Sequence, residues 1–500
     1  KRCCRVFITD SKKVIYPLNY LRMKESRKNS IKFIALVLVL HAVTFIEAQK
    51  IMTLRECVET GIEKNFDIEQ RRTAAASEKI NYKQAKLNLL PDLNGQAGYS
   101  VNQGRSIDPF TNSPVTQSFN ASSYSLNSDI ILFSGLSKIN LMKQAGLNWQ
   151  ASQMELQQQK DNLAINIILA YLQVLNLTEQ SAMLKEQEAL SLKQVERLAI
   201  LNDEGSIKPS DLSDMQGQYA NDQLAITDNY NNLESAKLSL FRLMNIPYDG
   251  SVVFEKVDTG AVPLIQRPDS KSVYETALHN LALVKATNLR TLSAQRALKA
   301  VKGGLWPALS LGGNLYTQYS SVATQSSLLN TGFAPSENYV LVNEQQVPVF
   351  EKQYHYAQSR IPFENQLNNN LNSSLGVSLR IPLFNALQQR NKIKLAQLEI
   401  QRNETSAADT KRQLQQDIDQ ATLNMQTAID RYKTLLQQVH SYKVSFEAAE
   451  ARFNEGVGNI IDYLTAKNNL DRTTRNLLNA QYDCILRSKI LSFYQDLSLF

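Results

Sequence analysis

The chain has 500 residues, of which 43% are hydrophobic and 20% charged, a composition that excludes a mainly disordered protein. Its formal net charge of +7 comes from the first 48 residues, which carry ten Lys and Arg against three Asp and Glu and leave 44 side chains of each sign elsewhere. The balanced remainder offers no basic surface to a nucleic acid, so we exclude nucleic acid as a partner.

The first predicted element is a cleavable leader. From Met23 a basic stretch precedes the apolar run FIALVLVLHAVTFIEA, which ends in a small residue, Ala48, suited to a cleavage site. We therefore predict a signal peptide at 23–48 and expect residues 1–22 to precede the translated start. The alternative is an N-terminal membrane anchor, although the run is shorter than the ~18–20 apolar residues that such an anchor needs.

Two cysteines, Cys57 and Cys484, remain after the leader. A leader of this kind sends the protein to an oxidising compartment, where one disulfide could tie the two ends of the chain together. Two buried free thiols are the alternative, and the sequence leaves both open.

The rest of the chain contains an internal two-fold repeat. Segment 78–93 (EKINYKQAKLNLLPDL) matches 294–309 (AQRALKAVKGGLWPAL) at a shift of 216 residues. Later segments match at a shift of 251, which aligns Gly205 with Gly456. The change in shift corresponds to an insertion of 35 residues in the second half.

We predict a first repeat at 49–244, a linker or equatorial segment at 245–270 and a second repeat at 271–500. Each repeat contains helices, two strands, one very long helix and a shorter helix. In chain order the main elements are strands at about 91–102 and 124–134, helices at about 136–202 and 209–244, strands at about 307–320 and 373–384, and helices at about 386–454 and 460–496.

The predicted strands alternate between apolar and polar residues. In the last of them, Val377 and Leu379 alternate with Ser378 and Arg380. Strands of about 10–13 residues can cross a bilayer when tilted, but a half-buried soluble sheet would show the same alternation. The segments between paired strands, 103–123 and 321–372, are rich in polar residues and are predicted as long loops.

The predicted helices 136–202 and 386–454 are exceptionally long. At 1.5 Å per residue each would reach roughly 100 Å. Apolar residues recur three and four positions apart, as at Ile165, Ile168 and Leu172, with polar residues between them. This pattern is typical of helices packed side by side in a coiled coil, so we predict a mixed α and β fold that is mainly α.

The sequence contains no recognisable catalytic chemistry. The stretch FNEGVGNIIDYL follows a long helix rather than a strand and lacks the GK[ST] of a phosphate-binding loop. His279, His355 and His440 are not spaced as metal ligands, and neither GxSxG nor GxGxxG is present. We therefore predict no enzyme, no cofactor and no metal site.

Four membrane-type strands cannot close a barrel, and open strand edges are not tolerated in lipid. If the strands cross a membrane, several copies of the chain must assemble. Two copies would give 8 strands, whose interior is filled by side chains, whereas three would give 12 strands and a lumen.

The chain resembles the TolC-like family of outer-membrane efflux and secretion channels over essentially all of 50–500. The resemblance rests on the duplicated halves, the strand entries LLPDL and LWPAL, the strand end IPLF and the turn EGVGNIIDYLTAKNNL. It implies a homotrimer in the outer membrane of a Gram-negative bacterium. Its 12-stranded transmembrane β-barrel would continue as an α-helical coiled-coil tunnel across the periplasm, docking on a periplasmic adaptor fed by an inner-membrane pump of the RND or ABC type.

The resemblance also implies roles for the two glycine turns at the periplasmic tip. The implied adaptor-docking residues are Gly205, Ser206, Ile207, Gly456, Val457 and Gly458, and the implied aperture residues are Asp462, Asp211 and Thr465. Three departures from the family pattern affect this tip. Thr465 stands in place of a second acid, Phe453 lacks a hydroxyl and Gly458 replaces a basic side chain. Alternatively, Asp211 and Asp462 merely cap the shorter helices.

The repeat suggests one further pair of residues. Asp129 and Arg380 occupy matching positions at the shift of 251 and lie in phase with the polar positions of their strands. We predict that both point into the barrel lumen, where charges are tolerated, and that they pair within or between subunits.

We predict a passive outer-membrane export duct. The alternative is a structural periplasmic or surface coiled-coil protein without channel activity, whose strands would form a soluble sheet. A periplasmic adaptor is a nearer competitor, but it would be expected to contain one helical hairpin instead of two.

Overall fold

The computed structural model describes residues 51–108, 112–256 and 269–496. The predicted leader at 1–48 lies outside these ranges. Of the predicted linker (245–270), residues 245–256 and 269–270 are described.

The described residues are mainly helical. Their helices are α1 (Leu54–Lys64), α2 (Phe66–Leu87), α3 (Ser137–Asp203), α4 (Pro209–Met244), α5 (Ser270–Asn280), α6 (Ala282–Gly303), α7 (Phe363–Asn369), α8 (Gln388–Asn454) and α9 (Ile460–Asp496). Their strands are β1 (Ile51–Met52), β2 (Asn94–Asn102), β3 (Ser106–Ile107), β4 (Pro114–Val115), β5 (Phe119–Ser134), β6 (Val253–Phe254), β7 (Ala308–Ser320), β8 (Thr324–Val342), β9 (Gln345–Arg360) and β10 (Asn372–Arg380).

Helices α3 and α8 are rods of 67 residues each, which corresponds to roughly 100 Å. α8 contains neither glycine nor proline, and α3 contains only Gly146, so little in either sequence interrupts a helix. Apolar residues at helical spacing, such as Ile168 and Leu172, are buried. α3 packs against α4 and α8 packs against α9, which gives two long helical hairpins.

A hydrophobic core near the middle of α3 joins distant parts of the chain. β1 pairs with β6 in parallel. The Tyr171 hydroxyl lies within hydrogen-bond distance of the carbonyl oxygens of Met52 (3.1 Å) and Glu255 (2.7 Å), and its ring packs edge-on against Phe254 at 5.6 Å. The described part of the predicted linker is therefore attached to the long helix.

Cys57 and Cys484 are free thiols, and they lie in two separate hydrophobic cores. Burial raises the pKa of Cys57 to about 12 and that of Cys484 to about 11, so both stay protonated near neutral pH. Of the two alternatives left open by the sequence, the structure contains the pair of buried thiols.

A four-stranded antiparallel sheet has the order β10–β7–β5–β2. Its register gathers the alternating side chains into one polar and one apolar face. The polar face includes Gln96, Ser125, Asn127, Asn314 and Ser374, and the apolar face includes Tyr99, Leu126, Ile130, Leu311, Leu315 and Val377. The apolar face is uncovered, since Tyr99 and Val377 are 68% and 67% exposed. Within the described residues, the outer edges of β10 and β2 have no partner strand.

Three strand ends differ from the prediction. β2 begins at Asn94 instead of 91, and β10 ends at Arg380 instead of 384. Pro91 and Pro382 stand beyond these ends and lack the backbone N–H that a strand ladder needs. β5 begins at Phe119, five residues before the predicted start, because its first residues pair with the end of β2.

The predicted loop at 321–372 is wrong. β8 and β9 form a long antiparallel hairpin, and the short helix α7 follows it. The hairpin reverses at Asn343 and Glu344, whose φ angles of 51° and 65° are those of a two-residue type I′ turn. Two register shifts, after Leu328 and after Pro335, interrupt the period-two alternation of β8, and the polar composition of the segment is typical of a loop. The other predicted loop, 103–123, contains the short β3–β4 pair and the start of β5.

The sheet and the helices meet at a close contact between two glycines. Gly135, between β5 and α3, has a φ of +60°, and a Cβ there would lie 2.3 Å from the carbonyl oxygen of Gly303. A Cβ on Gly303, at the end of α6, would lie 2.7 Å from the carbonyl oxygen of Gly135. The junction therefore requires glycine at both positions.

We expect Gly135→Ala to destabilise the protein by about 2–5 kcal/mol, because it combines left-handed backbone strain with overpacking. Thermal unfolding of the purified protein in detergent, followed by circular dichroism, would measure the loss. The matched control is Gly376→Ala in β10, where an added Cβ meets no atom within 4 Å and φ is not positive. Equal unfolding temperatures for both variants would contradict the close contact at the junction.

Candidate functional site: the tips of the helical hairpins

The two helical hairpins end side by side, and their turns form the candidate site. Residues 204–208 connect α3 to α4, and residues 455–459 connect α8 to α9. A groove of about 660 Å³ lies between the turns. It brings together six residues predicted for the tip, namely Gly205, Ser206, Ile207, Asp211, Gly456 and Gly458. Val457, Asp462 and Thr465 do not line this groove.

Glycine is required in the turns for two different structural reasons. Gly205 and Gly456 have φ angles of +67° and +73° just after the long helices, a conformation that favours glycine at a helix end. Gly458 lacks room for a side chain, since a Cβ would lie 2.8 Å from the backbone nitrogen of Phe453. Gly458, where the resemblance implies a basic side chain, therefore cannot be replaced by a larger residue unless the turn moves.

Neither predicted aperture aspartate occupies a helix N-cap. Asn459 caps α9, because its Oδ1 accepts a backbone N–H bond of 3.0 Å from the first turn. Lys208 precedes α4 and makes no side-chain cap. Asp462 and Asp211 lie within the first turns of their helices, where the helix dipole favours a negative charge. The alternative that Asp211 and Asp462 act as N-caps of the shorter helices is therefore wrong.

The two aspartates differ in their surroundings. Asp462 and Thr465 are both exposed and lie three residues apart, on one side of α9. Asp211 is half-buried and borders the groove on the other hairpin.

An aromatic core lies directly behind the second turn. Tyr463 is fully buried and stacks on Phe453 with ring centres 5.0 Å apart, while Phe446 lies 5.6 Å away. Among the described residues the Tyr463 hydroxyl has no hydrogen-bond partner, and burial raises the pKa of Tyr463 above its ordinary value. Phe453, where the resemblance implies a side chain with a hydroxyl, thus packs within this core.

Arg197 links the two hairpins close to the turns. This α3 residue donates from Nη2 to the backbone carbonyl of Asn454 at 2.7 Å, and from Nη1 to the Asn454 side chain. Asn454 is the last residue of α8, so the guanidinium also satisfies a carbonyl that the helix end leaves free.

A buried ionic cluster links the hairpins farther from the tip. Lys467 on α9 is 1% exposed, and its Nζ lies 3.1 Å from Oδ2 of Asp222 on α4 and 2.7 Å from Oδ2 of Asp471. Asp222 also accepts a hydrogen bond from the Ser191 hydroxyl of α3 and one of 2.8 Å from the Gln218 side chain. Three helices therefore share one buried set of charges, which we call the Lys467 cluster.

Further polar contacts follow the same seam between the hairpins. The side-chain amide of Asn468 donates to Gln218 at 3.2 Å. Nearer the middle of the rods, Asn176 and Gln180 donate to the Asn479 side chain at 2.8 and 2.9 Å. The two hairpins are thus joined by directional polar contacts as well as by apolar packing.

The pKa of one carboxyl group in the Lys467 cluster, that of Asp471, is shifted by folding. Burial raises the pKa of Asp471 above that of an ordinary aspartate, although the neighbouring Lys467 acts in the opposite direction. Folding therefore makes Asp471 easier to protonate, and its contribution to stability declines as the pH rises from its unfolded pKa through its folded pKa.

Sequence reasoning missed the polar links between the hairpins, including the Arg197–Asn454 contact and the Lys467 cluster. A signal for Lys467 exists, because this lysine follows Tyr463 by four residues on the apolar side of α9 and precedes Asp471 by four. Its partner Asp222 lies 245 residues away along the chain and could not be found from local spacing.

Asp129 and Arg380 share the polar face of the sheet, but one chain does not bring them together. Asp129 lies opposite Gly312, and Gly312 lies opposite Gly376 on β10. Arg380 is four residues farther along β10, which corresponds to roughly 13 Å along the strand. No ion pair between Asp129 and Arg380 occurs within the described chain.

The described residues contain no set of three or more His, Cys, Asp or Glu side chains that could hold a metal ion. Over the same ranges, none of the helices has the length and apolar character required to cross a membrane. The candidate site consists of the groove between the turns and the polar contacts between the two hairpins.

The two halves of the chain match a single family model. The model describes the outer membrane efflux protein and matches residues 58–245 and 273–492, which together make up most of the chain. The chain belongs to the outer membrane efflux protein family. The unmatched stretch between the two segments, 246–272, overlaps the predicted linker at 245–270.

Individual relatives of this outer membrane efflux protein agree with the family match. Outer membrane protein TolC of Escherichia coli strain K12 is 23% identical over 419 residues, covering 82% of this chain and 75% of TolC. The structure of VceC from Vibrio cholerae superposes with a TM-score of 0.68 at 14% identity, covering 88% of this chain and 95% of VceC. The structure of the Campylobacter jejuni CmeC outer-membrane channel superposes with a TM-score of 0.67 at 16% identity, covering 88% and 86%.

Family membership confirms the predicted class and location. The protein is a TolC-like outer-membrane efflux channel of a Gram-negative bacterium that extends into the periplasm, and it is not an enzyme. These conclusions rest on the family and do not assign a role to any residue of the tips.

We expect Lys467→Met to destabilise this efflux protein by about 3–5 kcal/mol, because the substitution leaves buried carboxylates without their cation. The control is Arg412→Met on α8, which removes an exposed ion pair of 2.7 Å to Asp409 and should cost at most ~1 kcal/mol. Thermal unfolding in detergent, followed by the helical circular-dichroism signal, would measure the stability of both variants. The triple variant Lys467→Met, Asp222→Asn, Asp471→Asn should recover part of the loss. If the single and triple variants have the same unfolding temperature, unpaired charge in the cluster is not the cause of the loss.

Proposed function

We propose that three copies of this protein form a passive export duct. Their twelve strands would close one transmembrane β-barrel, and their helical hairpins would continue it as a coiled-coil tunnel through the periplasm. A periplasmic adaptor and an inner-membrane pump of the RND or ABC type would deliver the exported molecule, so the duct itself performs no turnover.

The open four-stranded sheet is the observation that carries the proposal. It has an exposed apolar face suited to lipid and a polar face suited to a lumen, and its edge strands β10 and β2 have no partner strand in the part of the chain that the structure describes. Unpaired backbone groups cannot remain in a bilayer, so β10 of one copy must pair with β2 of the next. Three copies leave a lumen, whereas eight strands would be filled by side chains. Asp129 and Arg380 would face this lumen, where they could form an ion pair between neighbouring copies.

The long hairpins support the tunnel. The strands β5 and β10 lead into α3 and α8, so both rods leave the same end of the sheet. Rods of roughly 100 Å are too long for a compact domain but suit a conduit through the periplasm.

The turns at the tips supply a suitable docking surface for an adaptor. Val457 is 78% exposed at the end of the second hairpin, which is unusual for a valine unless another surface covers it. The groove beside it is bordered by charges of both signs, from Arg197, Lys208, Asp211 and Glu455. We infer that the helical tip of an adaptor binds across these turns and contacts Gly205, Ser206, Ile207, Gly456, Val457 and Gly458.

We infer that Asp462, Asp211 and Thr465 line the periplasmic aperture. Their position at the free end of the rods, and the exposure of Asp462, support this role. Opening would then require the hairpins to separate at the Arg197–Asn454 contact, while the Lys467 cluster would hold them together farther up.

Purified protein in detergent should contain three chains by light scattering and should conduct ions in a planar bilayer. Leu375 and Ser374 provide a matched pair on opposite faces of β10. Leu375→Lys places a charge on the lipid face, at a cost of ~2–4 kcal/mol near the bilayer midplane, and should reduce the trimer recovered from outer membranes. Ser374→Lys places the same charge in the lumen and should assemble normally.

A water-soluble mature chain without conductance would favour the structural coiled-coil protein instead. A detergent-stable dimer would contradict the 12-stranded barrel. Equal assembly of the two lysine variants would contradict the assignment of the lipid and lumen faces.

We expect Asp462→Asn to change single-channel conductance or cation preference while leaving the amount of trimer unchanged, because the exposed carboxylate would lie at the narrowest point. Asp419→Asn serves as the control, since Asp419 is an exposed acid midway along α8. Planar-bilayer recordings with potassium chloride gradients would measure both. If Asp462→Asn behaves like wild type, its first-turn position in α9 is the better account of this residue.

A further inference from the structure

The β8–β9 hairpin extends from the end of the sheet that lies away from the long helices. β7 leads out of α6 and ends at Ser320, and the hairpin begins at Thr324. The 19 residues of β8 span roughly 60 Å. Neither the barrel nor the tunnel of the proposed duct requires this projection.

One face of the hairpin is rich in aromatic residues. Directly paired residues of antiparallel strands lie on the same side. The pairs on this side are Leu328 with Tyr356, Thr331 with Tyr354, Phe333 with Lys352, Pro335 with Phe350 and Tyr339 with Pro348. The Tyr354 and Tyr356 rings stack at 6.5 Å, and the Lys352 ammonium lies 5.5 Å from the Tyr354 ring centre. We call Leu328, Phe333, Tyr339, Phe350, Tyr354 and Tyr356 the aromatic face.

The aromatic face has no cover within the described chain. Its six side chains are between 52% and 74% exposed. An isolated two-stranded ribbon is marginally stable in water, and a contiguous exposed apolar surface of this kind marks an interaction site. A further surface must therefore pack against the hairpin for it to stay ordered.

The hydrocarbon core of the membrane does not suit the aromatic face. β7 already has 13 residues, more than the ~9–11 that a tilted strand needs to span a bilayer. The hairpin starts where β7 has ended, so it lies beyond the lipid tails. Three of the six side chains of the aromatic face are tyrosines, and tyrosine is enriched at protein interfaces.

The edges of the hairpin are poor sites for adding another strand. Pro335 lies in β8 and Pro348 in β9, and neither residue can donate a backbone hydrogen bond. Packing through the aromatic face is consequently favoured over pairing along an edge.

The base of the hairpin is attached by hydrogen bonds beside the open edge of the sheet. Gln366 of α7 is 1% exposed; its Nε2 donates to the carbonyl oxygens of Ser320 and Ile361, both at 2.9 Å, and its Oε1 accepts the Ser320 N–H at 2.9 Å. The hairpin therefore leaves the sheet between β7 and the edge strand β10. In the proposed trimer β10 borders the next copy, so three identical hairpins rise from one rim.

We propose that the aromatic faces of three hairpins, one from each copy of the chain, pack against one another outside the membrane. The inference rests on the proposed trimer, and the occupant of each aromatic face is a second copy of the same surface. The three hairpins would form a projecting bundle beyond the outer mouth of the barrel.

Cysteine cross-linking of the detergent-purified trimer tests this packing. Phe333→Cys and Tyr354→Cys place thiols on the aromatic face, and Gln353→Cys is the matched control on the opposite face of β9. The native Cys57 and Cys484 are 0% exposed and should not react. A short bismaleimide should link two of the three chains in the aromatic-face variants, giving at least fivefold more covalent dimer on a denaturing gel than Gln353→Cys.

A second variant replaces residues 324–360 by a short Gly-Ser turn. It should still assemble into a conducting trimer, but the trimer should dissociate in SDS at a lower temperature than wild type. An intact trimer without aromatic-face cross-links, or with an unchanged dissociation temperature after the deletion, would overturn the packing. Cross-linking in outer-membrane fractions to a different polypeptide would also overturn it. A wild-type protein without any trimer would contradict the proposed duct itself, which distinguishes the two failures.

Discussion

Unpaired backbone at the two edges of the four-stranded sheet is the constraint on which the rest of the molecule depends. The sheet takes two strands from each half of the chain, and the β5–β7 pairing joins the halves at its centre. This arrangement gives both long helices a common starting level and direction. The contact between Gly135 and Gly303 then determines how closely the helical part approaches the sheet, because no side chain separates the two backbones.

The sequence predicts the helices far better than the hairpin. Long uninterrupted seams of apolar residues define α3 and α8, and the glycine turns after them limit where they end. Two strand limits differ from the prediction, because Pro91 and Pro382 end the ladders while the alternation continues. The β8–β9 hairpin escaped prediction since a ribbon with two exposed faces has no buried side to produce a clear pattern.

The candidate site divides in the same way. Its turns could be located because a glycine is followed by an aspartate after each long helix, Gly205 by Asp211 and Gly456 by Asp462. The Lys467 cluster and the Arg197–Asn454 contact could not, because their partners come from different hairpins. The Lys467 cluster places hydrogen-bonded charges among the buried residues of the seam, and the Arg197–Asn454 contact adds exposed hydrogen bonds near the turns. Such groups are stable only when every partner is present, so they specify one alignment of the hairpins where leucine alone would allow sliding.

The equal lengths of α3 and α8 carry an evolutionary consequence. Both rods have 67 residues, and their tips must meet at one level to share a groove. Deleting two turns from one rod would leave the other protruding by roughly 11 Å. Length changes in one half of the gene are therefore tolerated only when the other half changes in step. The hairpin between β7 and β10 lies outside this length constraint, because it does not contribute to the rods or to their tips.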